Sequence, residues 1–262
     1  MGSSATIRAV KISAVIIACD EEEKIGDAVR SVGWADEVLV IDSGSADRTR
    51  EIAEESGARV IVNPWPGFAA QKQFGVDTAA NDWIISIDAD ERASGELRDE
   101  IARLAHKPEA SLAAGYRIPR LTYYMGKPIR HGGWYPDRQL RFFDRCRGSW
   151  GDRVIHESWQ VNDGERVEKL KADLHHHSID SLEQHEDLLR TRYAPLGARQ
   201  MFENGRTTSL MKKAVAGPAA FLRAYLLRAG FLDGTAGWHI ARFAAKHDRL
   251  KHQLLWELQQ GQ

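Results

Sequence analysis

The 262-residue sequence has little cysteine and lacks long apolar runs. Its two cysteines, Cys19 and Cys146, are too few for a disulfide framework and are typical of a reducing compartment. The first eleven residues contain no apolar segment like that of a signal peptide, so we expect no secretory signal. No stretch approaches the roughly 20 apolar residues of a membrane-spanning helix. These features argue against a disulfide-rich secreted protein and against an integral membrane protein.

The composition is that of a globular protein, but charge is divided unevenly along the chain. Hydrophobic residues make up 43% and charged residues 28%, as in ordinary folded domains. Residues 199–262 contain ten Lys and Arg against four Asp and Glu, whereas residues 1–198 contain 26 against 33. A basic tail on an acidic body suggests an anionic partner, such as a membrane surface or nucleic acid. A helical lobe with solvated basic faces would give the same imbalance.

Short apolar runs alternate with helical patterns over the first 106 residues. The predicted strands cover residues 12–18, 37–42, 58–62 and 83–88, and the predicted helices cover residues 20–32, 45–57, 68–80 and 94–106. We expect Asp20 and Ser45 to cap the first two helices and Gly57 to end the second. Apolar strands alternating with helices predict an α/β fold: a Rossmann-like, mostly parallel sheet with helices on both faces.

The pattern changes twice beyond residue 113. Residues 113–177 combine short strands, turn signals and aromatic residues, which predicts an antiparallel extension that completes a cleft. From about residue 181 the chain becomes helical, with Arg and Lys among bulky apolar side chains. Such helices can lie in a membrane interface, or they can pack on the α/β body.

Acidic residues stand at the ends of the predicted strands. WIISID runs directly into Asp88, Asp90 and Glu91, and VLVID ends at Asp42. Strand carboxyl ends share one edge of a parallel sheet, where ligands bind. Two closely spaced carboxylates suit Mg²⁺ or Mn²⁺ held against a diphosphate, and Asp42 could accept hydrogen bonds from uracil or ribose. Solvated turns and helix caps are the plainer explanation of each residue alone.

Taken together, the motifs resemble a known enzyme family. AVIIACDEEEKIGDAVRSV, VLVIDSGSADRT and WIISIDADE are similar to motifs of the inverting family 2 glycosyltransferases, which have a GT-A fold. PDRQLRFF, VIHES, LHHHSIDSLEQHEDLLRTRYA and YLLRAGFLDGTAGW resemble the bacterial lipopolysaccharide inner-core β-1,4-glucosyltransferases. The resemblance, which runs through most of residues 12–258, implies three regions. They are a nucleotide-sugar half (about 10–110) and an acceptor half (about 111–180) of a catalytic domain over 1–180, followed by the helical, basic region over 181–262, whose composition allows it to associate with a membrane.

The resemblance also implies a uridine diphosphate (UDP) sugar donor and Mg²⁺ or Mn²⁺ as cofactor. The residues expected to bind the donor are Asp20, Asp42, Lys72, Asp88, Arg138 and Arg141. Asp90 and Asp88 are expected to bind the metal, with His176 of the LHHHS cluster as an additional candidate. Two departures from the family pattern, Asp20-Glu21-Glu22 for Asn-Glu-Glu and Gln71-Lys72-Gln73 for Gln-x-Asn, bear on the nucleoside pocket and the donor preference.

An inverting transfer needs a carboxylate that accepts the proton of the acceptor hydroxyl. Glu157 in VIHES is the expected base, because apolar neighbours favour proton uptake by a carboxylate. Asp137 is the second candidate, and Asp144 and Asp152 are further acids in the same region. A zinc site at LHHHS is not expected, because no second ligand pair with zinc spacing follows.

The sequence therefore predicts an inverting, metal-dependent transfer of a sugar, glucose by resemblance, to a lipid-linked saccharide. The expected acceptor is an inner-core heptose of lipopolysaccharide, reached from the cytoplasmic face of the inner membrane.

A polyisoprenyl-phosphate glycosyltransferase would share the N-terminal motifs, and a non-catalytic sugar-nucleotide-binding protein would bind donor without turnover. A nucleotidyltransferase would need a Gly-rich basic loop where Asp20 and Glu21 stand. A nucleic-acid-binding module would leave the acidic strand ends unexplained, so no nucleic acid partner is expected.

Overall fold

The computed structural model describes residues 10–151 and 158–261, and the chain divides into two compact units. The first unit comprises Met1–Arg120 and Asp137–His176, and the second comprises Leu121–Pro136 and His177–Gln262. Residues 121–136, which the resemblance placed in the acceptor half, therefore group with the C-terminal helices.

The described residues form twelve strands and eight α-helices. The strands are β1 (Ile12–Ala18), β2 (Glu37–Asp42), β3 (Arg59–Val62), β4 (Trp83–Asp88), β5 (Glu91–Ala93), β6 (Gly115–Tyr124), β7 (Lys127–Pro128), β8 (Asp137–Asp144), β9 (Gly148–Trp150), β10 (Trp159–Val161), β11 (Val167–Lys169) and β12 (Leu174–Ile179). The helices are α1 (Ile25–Ser31), α2 (Thr49–Glu55), α3 (Phe68–Thr78), α4 (Gly95–Ala105), α5 (Leu182–Leu188), α6 (Ala194–Glu203), α7 (Leu210–Leu222) and α8 (Gly234–Gln260).

The main sheet has the strand order β3-β2-β1-β4-β8-β6-β12-β5. Strands β1 to β4 are mutually parallel where they pair, whereas β8 runs antiparallel to both β4 and β6, and β12 runs antiparallel to β5. Strands β9 and β10 form a separate antiparallel pair. The predicted Rossmann-like sheet and its antiparallel extension are both confirmed.

Helices cover both faces of this sheet, because the strands bury apolar side chains on each side. Ile16 of β1 belongs to the hydrophobic cluster that includes residues of α1, α2 and α4, whereas Val15 and Ile17 belong to the cluster that includes α3. Helix α3 lies directly on β1, since a Cβ added at Gly75 would come within 2.5 Å of a Val15 methyl carbon. The alternation of side chains along a strand explains this division.

The first two helices begin later than predicted, so the expected N-caps are wrong. Helix α1 begins at Ile25 and α2 at Thr49. Asp20 instead has a left-handed backbone (φ 52°), and its carboxylate accepts a hydrogen bond from the Ala46 amide at 2.8 Å. Ser45 Oγ accepts from the Asp20 amide at 3.0 Å. These side chains join two loops to one another and are therefore not available to the helix ends.

Helices dominate the second unit, as predicted for the chain beyond residue 181. Helix α5 leads through a π-helical turn, Leu189–Tyr193, into α6, and a second π-helical turn, Arg223–Leu227, follows α7. Tyr124 and Ile240 belong to the buried apolar cluster of this unit. Within the described residues, no helix is both long enough and apolar enough to cross a bilayer.

Candidate active site

Three parallel strands end at one edge of the sheet and bring predicted site residues there. Asp42, the last residue of β2, lies opposite Ala18, the last residue of β1. Asp88, the last residue of β4, lies opposite Ile17 on the other side of β1. Asp20 follows β1 two positions later. The acids thus flank the carboxyl end of a central strand, where parallel α/β sheets bind ligands.

Asp42 holds the turn that follows its own strand. Its carboxylate is fully buried and accepts hydrogen bonds from the amides of Gly44 at 3.0 Å and Ser45 at 2.9 Å. The Ser45 hydroxyl donates to the second carboxylate oxygen. Because Ser45 also binds the Asp20 amide, the two predicted donor-binding acids belong to one hydrogen-bonded loop network. Their contact with a nucleoside stays a prediction, and Asp20, which is exposed, is the more accessible of the two.

Asp88 is held between two buried cations. Lys72 Nζ on α3 lies 2.9 Å from Asp88 Oδ1, and an Arg141 guanidinium nitrogen on β8 lies 2.7 Å from Oδ2. The Lys72 ammonium also lies 5.0 Å from the centre of the Trp150 ring, a favourable cation–π distance. The structure therefore brings three predicted donor-binding residues, Lys72, Asp88 and Arg141, into direct contact.

The charge cluster continues through two residues that the sequence did not identify as site residues, Glu91 and Arg120. Glu91 is fully buried, and its Oε1 accepts from Arg141 at 3.0 Å and from Arg120 at 3.3 Å. Its Oε2 accepts from the Asp88 amide at 3.0 Å, so it also fixes the end of β4. Arg120 donates on to Asp137 through Nε at 3.0 Å. Cations and anions alternate along the cluster from Lys72 to Asp137.

Mutual attraction keeps three members of the cluster, Asp88, Arg141 and Arg120, ionised despite their burial. Burial would raise the pKa of Asp88, but Arg141 and Lys72 outweigh burial and hold that pKa well below its ordinary range. Burial would lower the pKa of Arg141, but Asp88 and Glu91 raise it above its usual value. The pKa of Arg120 is raised in the same way, chiefly by Glu91, against the effect of burial. These three groups therefore stay charged at neutral pH.

Asp90 lies in the turn after β4 and faces a histidine. His176 Nε2 is 3.2 Å from Asp90 Oδ2. The contact follows from the pairing of β5 with β12, which sets His176 opposite Glu91, the neighbour of Asp90. We expected His176 as an additional metal ligand beside Asp90, and the structure brings these two side chains together.

The side chains at this turn could supply part of the coordination shell of a divalent ion, and substrate oxygens would complete that shell. Among the described residues, no group of three or more His, Cys, Asp or Glu side chains could hold a metal by itself. Asp90 and His176 offer one carboxylate and one imidazole, and Mg²⁺ or Mn²⁺ commonly takes few protein ligands and fills its shell with water and phosphate oxygens. Asp88 could join only if its ion pairs with Lys72 and Arg141 gave way.

Of the remaining predicted residues that the structure describes, only Asp137 belongs to this charge cluster. The Arg138 guanidinium donates to the Leu170 carbonyl at 2.8 Å, so the two arginines of PDRQLR have different partners. Asp137, the second candidate base, has both oxygens engaged, one with Arg120 and the other with Gln139 at 2.7 Å. Glu157, the expected base, lies outside the described residues, as does Asp152. Asp144 accepts from the Cys146 amide at 2.9 Å and holds a turn.

Comparison with known proteins places the chain in a family. Residues 13–162 match the model of Glycosyl transferase family 2. The chain belongs to this family. An uncharacterized glycosyltransferase of Rickettsia typhi is 33% identical over 238 residues, which cover 87% of this glycosyltransferase and 80% of the relative. The lipopolysaccharide core biosynthesis glycosyltransferase LpsC of Rhizobium meliloti is 28% identical over 256 residues, 93% of each chain. The predicted enzyme class and GT-A fold are confirmed.

Solved structures offer a looser likeness to this family 2 glycosyltransferase. The glucosyl-3-phosphoglycerate synthase of Mycobacterium tuberculosis, crystallised with Mn²⁺, UDP and glucosyl-3-phosphoglycerate, is 26% identical. The match covers 44% of each chain with a TM-score of 0.35. A crystal structure of the same synthase with Mg²⁺ and UDP also has a TM-score of 0.35. Such a low TM-score carries no conclusion about the ligands of the present chain.

Proposed function

We propose that this glycosyltransferase transfers a sugar, glucose by resemblance, from a UDP-sugar to a lipid-linked saccharide with inversion at the anomeric carbon. The acceptor is an inner-core heptose of lipopolysaccharide. Similarity to LpsC, which covers nearly the whole chain, supports a role in lipopolysaccharide core synthesis. The chain acts at the cytoplasmic face of the inner membrane, where such an acceptor is presented.

One observation carries the proposal: a cluster of buried ion pairs ends beside the turn that contains Asp90, whose carboxylate contacts His176 of β12. Buried ion pairs give little net stability compared with apolar packing, so their presence needs another explanation. Here Lys72 and Arg141 fix Asp88, and Glu91 fixes the backbone at the end of β4. A preorganised set of charges at a strand end suits a diphosphate whose charge grows during transfer.

The metal would be held by Asp90 and His176, with diphosphate oxygens completing its shell. When bound, it would neutralise the charge that develops on the departing diphosphate. Asp20 would bind the nucleoside beside the end of β1, and Asp42, whose buried carboxylate holds the following turn, would take part only if that turn opened. Lys72 and Arg141, which pair with Asp88, would add positive charge near the phosphates. Arg138 would take part only if it released the Leu170 carbonyl.

The acceptor hydroxyl would lose its proton to a carboxylate as the new glycosidic bond forms. Glu157 is our candidate for this base. Asp137 is the less suitable carboxylate, because its oxygens already accept hydrogen bonds from Arg120 and Gln139. A Glu157→Gln variant should keep donor binding and lose transfer, whereas Asp137→Asn should chiefly weaken the charge cluster.

The experiment measures the Tm of the protein with a panel of nucleotide sugars, with and without Mn²⁺ or Mg²⁺. Transfer assays on heptose-containing and polyisoprenyl-phosphate acceptors follow. A UDP-sugar with metal at about 100 times its Kd should raise Tm by roughly 5 to 10 °C. Stabilisation by another nucleotide class, or by none, would overturn the proposed donor. Transfer to polyisoprenyl phosphate alone would overturn the acceptor, and binding without any transfer would indicate a sugar-nucleotide sensor.

A further inference from the structure

Helix α7 exposes large apolar side chains and buries small ones. Its buried positions are Gly217 and Ala220. Met211, Val215 and Leu222 instead expose 77%, 54% and 50% of their surface. They are spaced by four and seven residues and therefore share one side of the helix. An amphipathic helix of a globular protein normally has the opposite arrangement, with its large apolar residues inward.

Close packing against α8 explains why the inner side of α7 is small. A Cβ added at Gly217 would lie 3.2 Å from the Ala245 carbonyl oxygen, so the two helix backbones are near contact. Large side chains have no room on this inner side. A small rotation of α7 therefore could not bury the exposed apolar side chains against α8.

The exposed apolar surface continues past the end of α7. We call it the α7 face, and it is defined by the exposed side chains of Met211, Val215, Leu222, Leu227, Phe231 and Trp238. Aromatic rings contact one another at the C-terminal end of this face. The ring centroid of Trp238 lies 5.2 Å from that of Phe221 and 5.4 Å from that of Tyr225, and the centroids of Tyr225 and Phe231 are 6.2 Å apart. Exposed apolar surface on this scale, unlike single exposed residues, marks an interaction site.

The segment that carries most of this surface is basic, and the side chain of Asp233, which follows it, is buried against the amides of Arg130 and His131. Residues 204–232 contain five basic residues and no Asp or Glu. The five are Arg206, Lys212, Lys213, Arg223 and Arg228. Arg223 has an acidic partner, Asp248, at 3.3 Å, but that residue belongs to α8. Apolar side chains flanked by Lys and Arg match an anionic bilayer, whose headgroups attract the cations while the acyl boundary accepts the apolar groups.

We propose that the α7 face docks on an anionic lipid bilayer, with α7 lying along the surface. The apolar side chains would enter the headgroup and acyl boundary, and the lysines would extend toward lipid phosphates. The biological reason rests on the proposed function, because a lipid-linked acceptor is confined to the same surface. The surface itself is independent of which sugar is transferred.

Vesicle co-sedimentation tests the docking. The wild-type chain should partition onto vesicles containing phosphatidylglycerol and much less onto pure phosphatidylcholine vesicles. Replacing Met211, Leu222 and Leu227 together by Gln should weaken binding to anionic vesicles at least tenfold. Leu196→Gln, an exposed leucine of α6 outside the α7 face, is the matched control and should bind as the wild type does.

A second pair of changes tests the charge. Lys212→Gln with Lys213→Gln should weaken binding to anionic vesicles and reduce its dependence on salt, without changing binding to phosphatidylcholine. If the wild type ignores vesicles, or if the triple Gln variant binds them unchanged, the proposal is wrong. If the triple variant converts a dimer into a monomer without changing lipid binding, the α7 face is a contact between two copies, which also contradicts it.

The outcome is separable from that of the proposed function. The triple Gln variant should keep its thermal stabilisation by UDP-sugar and metal and should keep transfer to a short, detergent-soluble acceptor. Vesicle binding without any nucleotide effect would count against the glycosyl-transfer proposal and leave the docking surface standing.

Discussion

The two compact units depart from the usual distribution of polar and apolar side chains in opposite directions. The first unit buries charge, since Glu91, Arg141 and Lys72 are almost inaccessible to solvent. The second unit exposes apolar surface, since Met211 and Leu227 each expose 77% of theirs. Buried charge and an exposed apolar patch are the informative exceptions, and in this chain each coincides with a proposed binding function.

Two helices of similar length make the contrast concrete. Helix α4 buries Leu97, Ile101 and Leu104 and directs charged residues outward, as an amphipathic helix on a sheet should. Helix α7 buries Gly217 and Ala220. The difference shows that apolar content alone does not specify which face of a helix is inside.

The largest expected effect on stability concerns the buried charge. Glu91→Ala removes the carboxylate between Arg120 and Arg141 and should lower the free energy of unfolding by about 3 to 5 kcal/mol, because two poorly solvated guanidinium groups lose a partner. Urea denaturation measures the loss. Glu168→Ala, in an exposed pair with Arg166, is the control and should change stability little. Equal losses in the two variants would show that burial does not distinguish the pairs.

The contrast between α4 and α7 predicts that similar side-chain truncations lower the free energy of unfolding by unequal amounts. Ile101→Ala in α4 should cost about 2 to 5 kcal/mol, because it leaves a cavity in a packed core. Leu222→Ala in α7 should change stability by no more than about 0.5 kcal/mol, because its side chain already meets solvent. The same denaturation experiment compares them. A loss of several kcal/mol at Leu222 would mean that the side chain is buried in solution.

The second unit should also show a specific sensitivity to acid. Burial lowers the pKa of His185 from its ordinary 6.5 to about 4, and the ring stacks on Phe243 at 3.9 Å. Between these pH values the unfolded chain binds the proton and the folded chain does not, so stability falls as pH falls through this window. The loss attributable to His185 should reach about 3 kcal/mol near pH 4.

The difference between wild type and His185→Gln isolates that contribution. Gln does not titrate and can still form a hydrogen bond with the Tyr124 hydroxyl, so the variant should lose part of the acid sensitivity between pH 6.5 and 4. His106→Gln, which replaces a histidine at an exposed position, is the control variant. Parallel profiles for wild type and His185→Gln would show that His185 is solvated.

Periodicity and strand ends predicted most of the α/β unit. The strands 12–18, 37–42 and 83–88 coincide with β1, β2 and β4, because continuous apolar runs leave little freedom in where a buried strand begins or ends. Helix starts were predicted less well, since Asp20 and Ser45 are good capping residues that tertiary contacts use elsewhere.

The site was predicted through its acids and incompletely through its cations. Asp88 and Asp90 are visible because they interrupt an apolar run. Glu91 belongs to the same acidic stretch, but its importance depends on Arg120 and Arg141, which distant strands bring to it. No local signal marks Arg120, since an arginine in an antiparallel strand is ordinarily a surface residue. The exposure of the large apolar side chains of α7 likewise could not be predicted from the sequence, because it depends on how closely α8 packs.

The affinity of UDP in the presence of Mn²⁺, measured by calorimetry for wild type and Asp90→Asn, tests the central claim most directly. The account predicts that wild type binds UDP much more tightly with Mn²⁺ than without. It predicts that Asp90→Asn weakens the Mn²⁺-dependent affinity at least tenfold while the fold is retained, and that Asp163→Asn, at an exposed turn, has no effect. Equal UDP affinity and equal metal dependence in wild type and Asp90→Asn would contradict the assignment of this strand end as the donor site.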